Sequence, residues 1–142
     1  MPVRRLSLAI SPVLRFADWL FAGEASGADL FYMLASLWWL SLMLFRPAVF
    51  DVPPLVGMDW APDPIWIVFV SCVAALHAIA LWRPHLYRLR MGTATVSAWY
   101  WLTIAISLSR PGVSTGTGMY SLFGLGAAML AIYLSGRDQH RV

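Results

Sequence analysis

The stretch TGMYSLFGLGAAMLAIYLS, residues 117–135, carries no charged side chain and decides how this chain folds. As a helix it is the right length for the roughly 30 Å hydrocarbon core of a bilayer. Thr117, Ser121, Gly124, Ala128, Ala131 and Ser135 recur in alternating steps of four and three, so they fall on one side. Such a stripe of small residues lets two membrane helices approach closely and gain by packing what lipid cannot supply as a hydrophobic drive.

The rest of the chain has the same character. It has 142 residues, 60% of them hydrophobic and 12% charged, with a mean hydropathy of +0.69. Those values lie outside the soluble range and suit one compact membrane domain. The ten basic residues are all arginine and the formal net charge is +3. Cys72 is the single cysteine, so an intrachain disulfide is excluded, and it reads as a small packing residue inside an apolar run.

Three further spans precede the opening stretch. Residues 28–45 hold LFYMLASLWWLSLMLF, with Asp29 placed to cap the helix and Arg46-Pro47 to end it. Residues 65–82 follow Pro64 and stop at Arg83-Pro84, with Trp66 and Trp82 read as interfacial anchors. Residues 92–109 form the third span and 118–135 the fourth. The loop between the first two, PAVFDVPPLVGMDWAPDP, is expected to be irregular backbone resting through Phe50, Leu55, Val56 and Trp60 on lipid or on bundle ends.

Residues 1–27 read as an amphipathic interfacial segment. Leu6, Ile10, Val13, Leu14, Ala17, Leu20 and Phe21 lie on one face, and Arg4, Ser7, Ser11, Arg15 and Asp18 on the other. The competing reading is an ordinary first helix packed on the bundle. Pro12, Arg15 and Asp18 interrupt any signal-peptide core, so no cleavage is expected. Residues 136–142 form a polar tail. Arg4, Arg5, Arg15, Arg83, Arg88, Arg90, Arg137 and Arg141 all fall on one side of a four-span chain, which makes both termini cytoplasmic by the positive-inside rule, with Arg46 the exception. Arg4, Arg5, Arg15, Arg83, Arg88 and Arg90 are candidate contacts for lipid headgroups.

Candidate chemistry is sparse. His77 is the one ionisable residue well inside a span, and an intramembrane histidine suggests a proton relay, a metal ligand or a quinone contact. With no second histidine or acid inside a span, it reads instead as a structural, hydrogen-bonded group, a buried polar site. Thr93, Tyr100 and Ser107, with Thr103 nearby, form a polar stripe on the third span. Ala94, Ala98, Ala105 and Ser109 form a small-residue stripe on another side, suited to docking on the fourth span. Asp51, Asp59 and Asp63 lack ligand-like spacing, and the basic cluster is too short and too close to the membrane for nucleic acid. No Ser/His/Asp or Cys/His arrangement is legible, so no catalytic, metal or cofactor site is expected.

The segments WWLSLMLFRPAVFD and APDPIWIVFVSCVAALHAIAL, with the basic turn before a Trp-rich third span, resemble small four-span membrane proteins encoded in tailed-phage genomes of proteobacteria. The resemblance covers about residues 30–133. Some such proteins are holins, which would imply self-association in the inner membrane until lesions open; it carries over no residue.

The expectation is therefore an all-α, polytopic membrane protein. It has four transmembrane helices and an N-terminal interfacial helix, sits in the bacterial inner membrane, and is non-enzymatic. Its partners are the lipid bilayer and either its own copies or a larger membrane complex. Function is read as a holin-like phage membrane effector, or alternatively as an accessory or assembly subunit.

Overall fold

The computed structural model describes residues 26–46, 53–112 and 114–139. The expected interfacial segment with Arg4, Arg5 and Arg15 lies outside them, as do Phe50, Asp51 and the end of the tail. Four helices account for most of the described chain: α1 (Ser26–Phe45), α2 (Asp63–Trp82), α3 (Tyr87–Ser109) and α4 (Thr115–Gln139). Three are long and apolar enough to cross a membrane: α1, α2 and the Thr115–Gly136 part of α4. α3 is not among them, because Thr93, Thr95, Ser97, Tyr100, Thr103 and Ser107 dilute its apolar run.

Local chemistry sets the ends. α2 starts with Asp63 and Pro64 in its first turn, where a missing N–H costs nothing and a carboxylate meets the helix dipole. It stops before Pro84, which disfavours helical backbone at the preceding residue. Gly112 takes φ +137° in the α3–α4 turn, a conformation that a side chain would strain. Ser114 and Thr117 then cap α4 reciprocally: the Thr117 N–H donates to Ser114 Oγ at 3.2 Å and the Ser114 N–H to Thr117 Oγ1 at 3.3 Å.

The helices exceed the expected spans. α3 begins at Tyr87 and not near residue 92, because nothing in RLR opposes helix; α4 continues to Gln139, through much of the expected tail. The proline-rich loop also departs from expectation. Pro53–Met58 forms a 3₁₀ helix, since prolines fit the first turn of a helix whose N–H groups are unpartnered anyway. Leu55, Met58 and Ala61 are buried against the bundle. Trp66 is no surface anchor: it is buried at 2% exposure and its indole N–H donates to the Met58 carbonyl at 3.0 Å. Trp82, at 85%, remains exposed.

Consecutive helices run antiparallel. Asp29 of α1 meets His77 of α2, Leu102 and Leu108 of α3 approach Gly124 and Gly116 of α4, and Trp39 and Tyr32 of α1 approach Tyr120 and Phe123 of α4. α3 packs most extensively on α4, and α1 on α2. Between them lies an aromatic core in which Trp101 stacks on Tyr120 at 5.7 Å and meets Phe123 edge-on at 5.4 Å.

The bundle differs from a water-soluble one in its outer surface, which is rich in large apolar side chains. Phe31, Leu34, Trp38 and Leu44 of α1, Ile65, Val68 and Ile79 of α2, Val96, Trp99 and Ile106 of α3, and Leu122, Leu125, Met129 and Ile132 of α4 are exposed. Asp29, Ser36, His77, Arg90, Thr93, Ser97 and Ser107 are buried.

Candidate functional site

Four of the buried polar residues, Asp29, His77, Arg90 and Ser97, converge toward the end of the bundle where α1 begins, α2 ends and α3 begins. Asp29 occupies the first turn of α1. Asp29, Tyr32, Ser36, Trp39 and Met43 repeat at steps of three and four and make up the buried face of that helix. On α3, Arg90 and Ser97 stand seven residues apart, in line with Ala94 and Trp101 on a buried face. His77 is the inward residue of the last turns of α2.

These side chains form one continuous hydrogen-bonded chain. Arg90 donates from Nε and Nη2 to Oδ2 of Asp29 at 2.8 and 2.6 Å, and from Nη1 to the Pro84 carbonyl at 3.1 Å. Oδ1 of Asp29 meets Nδ1 of His77 at 3.1 Å, and Nε2 of His77 meets Oγ of Ser97 at 2.8 Å. Asp29, His77 and Ser97 have no exposed surface and Arg90 has 4%. An ionised carboxylate only accepts, so Nδ1 of His77 carries the proton and Nε2 accepts the Ser97 hydroxyl. With His77 neutral, the charges of Asp29 and Arg90 cancel. The Tyr32 ring stacks on the imidazole at 5.6 Å, while its hydroxyl donates to the Phe123 carbonyl at 2.8 Å.

Sequence reading assigned Asp29 and Arg90 otherwise. Asp29, read as a capping residue, is the centre of the cluster. Arg90 does not face headgroups, because its guanidinium is turned inward onto Asp29. Arg83 and Arg88 are exposed. Ser97 was not singled out, and a Ser/His/Asp arrangement that no linear motif betrays is present in space. The usable signal was the seven-residue step from Arg90 to Ser97 on the face that carries Ala94.

The order acid, Nδ1, Nε2, hydroxyl is that of a nucleophilic triad. Catalysis also needs substrate access and donors for a developing oxyanion. Ser97 lies in mid-helix, where backbone N–H groups are engaged within the helix, and its side chain is sealed inside the bundle. The hydrogen bonds of the arrangement tie α1, α2 and α3 together. Among the described residues no group of three His, Cys, Asp or Glu side chains is placed to hold a metal ion, and Cys72 is exposed, away from the cluster.

Of the small-residue stripes, Gly124 lies at the α3–α4 contact. Gly124 is buried, and a Cβ there would lie 2.5 Å from Cγ of Leu102 and 3.1 Å from its backbone nitrogen. Leu102 stands between Ala98 and Ala105 on the alanine stripe, filling the gap opposite the glycine. Ala94, Ala98 and Ala105 are buried, while Ser109 is exposed and Thr117, Ser121, Ala128, Ala131 and Ser135 are half-buried. Ala127, outside the expected stripe, is also fully buried. Thr93 and Ser107 are buried but donate back to the Leu89 and Thr103 carbonyls of their own helix at 2.9 Å each, as Thr103 does to Trp99 at 2.8 Å. They line no pore.

On the outer side, Phe31, Leu34, Ala35, Trp38 and Trp39 of α1 face Trp101, Tyr120 and Phe123 across an almost wholly apolar groove of about 260 Å³. Comparison of the chain with family models, curated proteins and solved structures gave no match.

Proposed function

We propose that the chain is a four-span protein of the bacterial inner membrane, with both termini cytoplasmic, that works without catalysis as an accessory or assembly subunit of a larger membrane complex. Large apolar side chains exposed on all four helices support four crossings. The surface that α3 turns outward includes Val96, Trp99 and Ile106 beside Thr95, whose hydroxyl is satisfied by the Met91 carbonyl of its own helix, while Arg90, Thr93 and Ser97 are paired inside. The arginines of the α2–α3 turn support the orientation.

The observation that carries the choice of function is the fate of the small-residue stripe. A holin-like effector would use that stripe to bring copies together, but Gly124 is already committed to Leu102 within one chain. What remains for a partner is an outer surface of large apolar and aromatic side chains with a groove between α1 and α4.

Affinity purification in mild detergent, paired with induced expression and a membrane-potential dye, tests this reading. The expected result is co-purification of a defined membrane complex, its loss on deletion of the gene, and an intact membrane potential. Rapid depolarisation by a self-associated species would overturn it in favour of the holin-like alternative.

A further inference from the structure

We propose that the α2–α3 turn is a docking site for the phosphate group of an anionic phospholipid, held by Arg83 and Arg88. Of the proposed function this uses only the membrane crossing of α2, a helix long and apolar enough to span a bilayer, which puts the turn at a membrane surface. The fold separates the three arginines of this end. Arg90 is 4% exposed and directs its guanidinium onto Asp29 and the Pro84 carbonyl. Arg83 and Arg88 are exposed, one on each side of the exposed His85.

The backbone between the two exposed arginines is held in place. The Leu86 N–H donates to the Arg83 carbonyl and the Tyr87 N–H to the His85 carbonyl, each at 3.0 Å, while Arg90 Nη1 donates to the Pro84 carbonyl at 3.1 Å. A concavity of about 230 Å³ opens on this turn, lined by His85, Leu86, Tyr87, Arg88 and Leu89. At roughly 30 Å³ for each water-sized group, it has room for on the order of seven such groups. That accommodates a phosphate with its ester oxygens, but not a peptide helix about 10 Å across.

Charge selects the occupant. Among the described side chains the acids are Asp29, Asp59 and Asp63. Asp29 is engaged by Arg90. Asp63, with Asp59 before it, stands at the far end of the 20-residue α2, about 30 Å from the turn and so several Debye lengths of about 8 Å away. The first turn of α3 has no acidic residue and carries Arg88, so the helix dipole and the side chain there have the same sign. Arginine forks pair well with phosphate oxygens. Beside the charges, Trp82 is exposed at 85% and Ile79 at 44%, an apolar flank that suits the acyl chains of the same molecule. Basic turn and apolar flank together favour a phospholipid over free phosphate.

The test is native mass spectrometry of the full chain in detergent, titrated with phosphatidylglycerol, phosphatidylcholine or inorganic phosphate. The expected result is preferential retention of one phosphatidylglycerol per chain, which inorganic phosphate does not displace. Arg83→Gln and Arg88→Gln should each weaken that binding about fivefold, and the pair about thirtyfold. Arg46→Gln, at an exposed arginine beyond the other end of α1, should leave it unchanged. A second measurement needs no arginine variant: phosphatidylglycerol brominated on its acyl chains should quench wild-type tryptophan fluorescence more than brominated phosphatidylcholine does, and the difference should vanish in Trp82→Phe. Equal retention or equal quenching by the two lipids, wild-type binding in the double variant, an equal loss in Arg46→Gln, or displacement by inorganic phosphate overturns the site. A chain that is soluble without detergent would instead overturn the membrane reading on which the site rests.

Discussion

Arg90 grips a single oxygen of Asp29 with two nitrogens, at 2.8 and 2.6 Å, across 61 residues of chain. The pair locks the first turn of α1 to the first turn of α3, two parallel helices that are not sequence neighbours. It is sealed from water, so its loss is asymmetric: removing one partner strands the other.

Asp29→Ala or Arg90→Ala alone should therefore destabilise the bundle by about 3–5 kcal/mol, whereas the double replacement Asp29→Leu/Arg90→Met should recover most of that loss. Thermal unfolding in detergent, followed by tryptophan fluorescence, reads both. Single variants as stable as the wild type would mean that the pair is not closed.

Gly124 allows the backbone of α4 to approach Leu102. Gly124→Leu should destabilise the monomer by more than the ~1–3 kcal/mol usual for overpacking, while Gly92→Ala, which meets open space, should be neutral or slightly stabilising. Size-exclusion chromatography beside thermal unfolding separates the alternatives. A well-folded Gly124→Leu monomer that has only lost self-association would show that the stripe serves other copies.

A Cβ at Gly126 would lie 2.8 Å from the Tyr32 hydroxyl, which donates to the Phe123 carbonyl. Gly126→Ala should cost about 1 kcal/mol by displacing that hydroxyl. The same change should be nearly free in a Tyr32→Phe background, where no oxygen remains to collide. Additive losses in the double-mutant cycle would place the effect elsewhere.

The triad-like order of Asp29, His77 and Ser97 invites a direct chemical check. A fluorophosphonate probe should leave Ser97 unlabelled in the folded protein, because the hydroxyl is sealed among α1, α2 and α3. Labelling that disappears in Ser97→Ala would identify a nucleophile and a route to it.

The helices were legible because their apolar runs are bounded by charges and prolines: Arg46-Pro47, Pro64, Arg83-Pro84 and Arg110-Pro111 mark ends that the fold respects to within a few residues. The polar cluster was not. Asp29 looks like a capping residue and Arg90 like a topology signal, because each stands near a helix end; only packing reveals that both ends turn inward to the same point. Ser97 stayed hidden for a different reason, since serine in a membrane helix ordinarily bonds back to its own turn. The aromatic groove could not be foreseen either, because it is shared by α1, α3 and α4.

The separation of Asp29 from Arg90 also bears on how the chain is made. On the four-span reading the first helical hairpin brings Asp29 and His77 into the bilayer together, with no arginine in either span to neutralise the carboxylate. Their cation arrives only when α3 has been synthesised. Until then the hairpin is an incomplete electrostatic unit, held by a histidine or retained at the insertion machinery, and nascent chains arrested before and after residue 90 should differ in how firmly their first helix is seated.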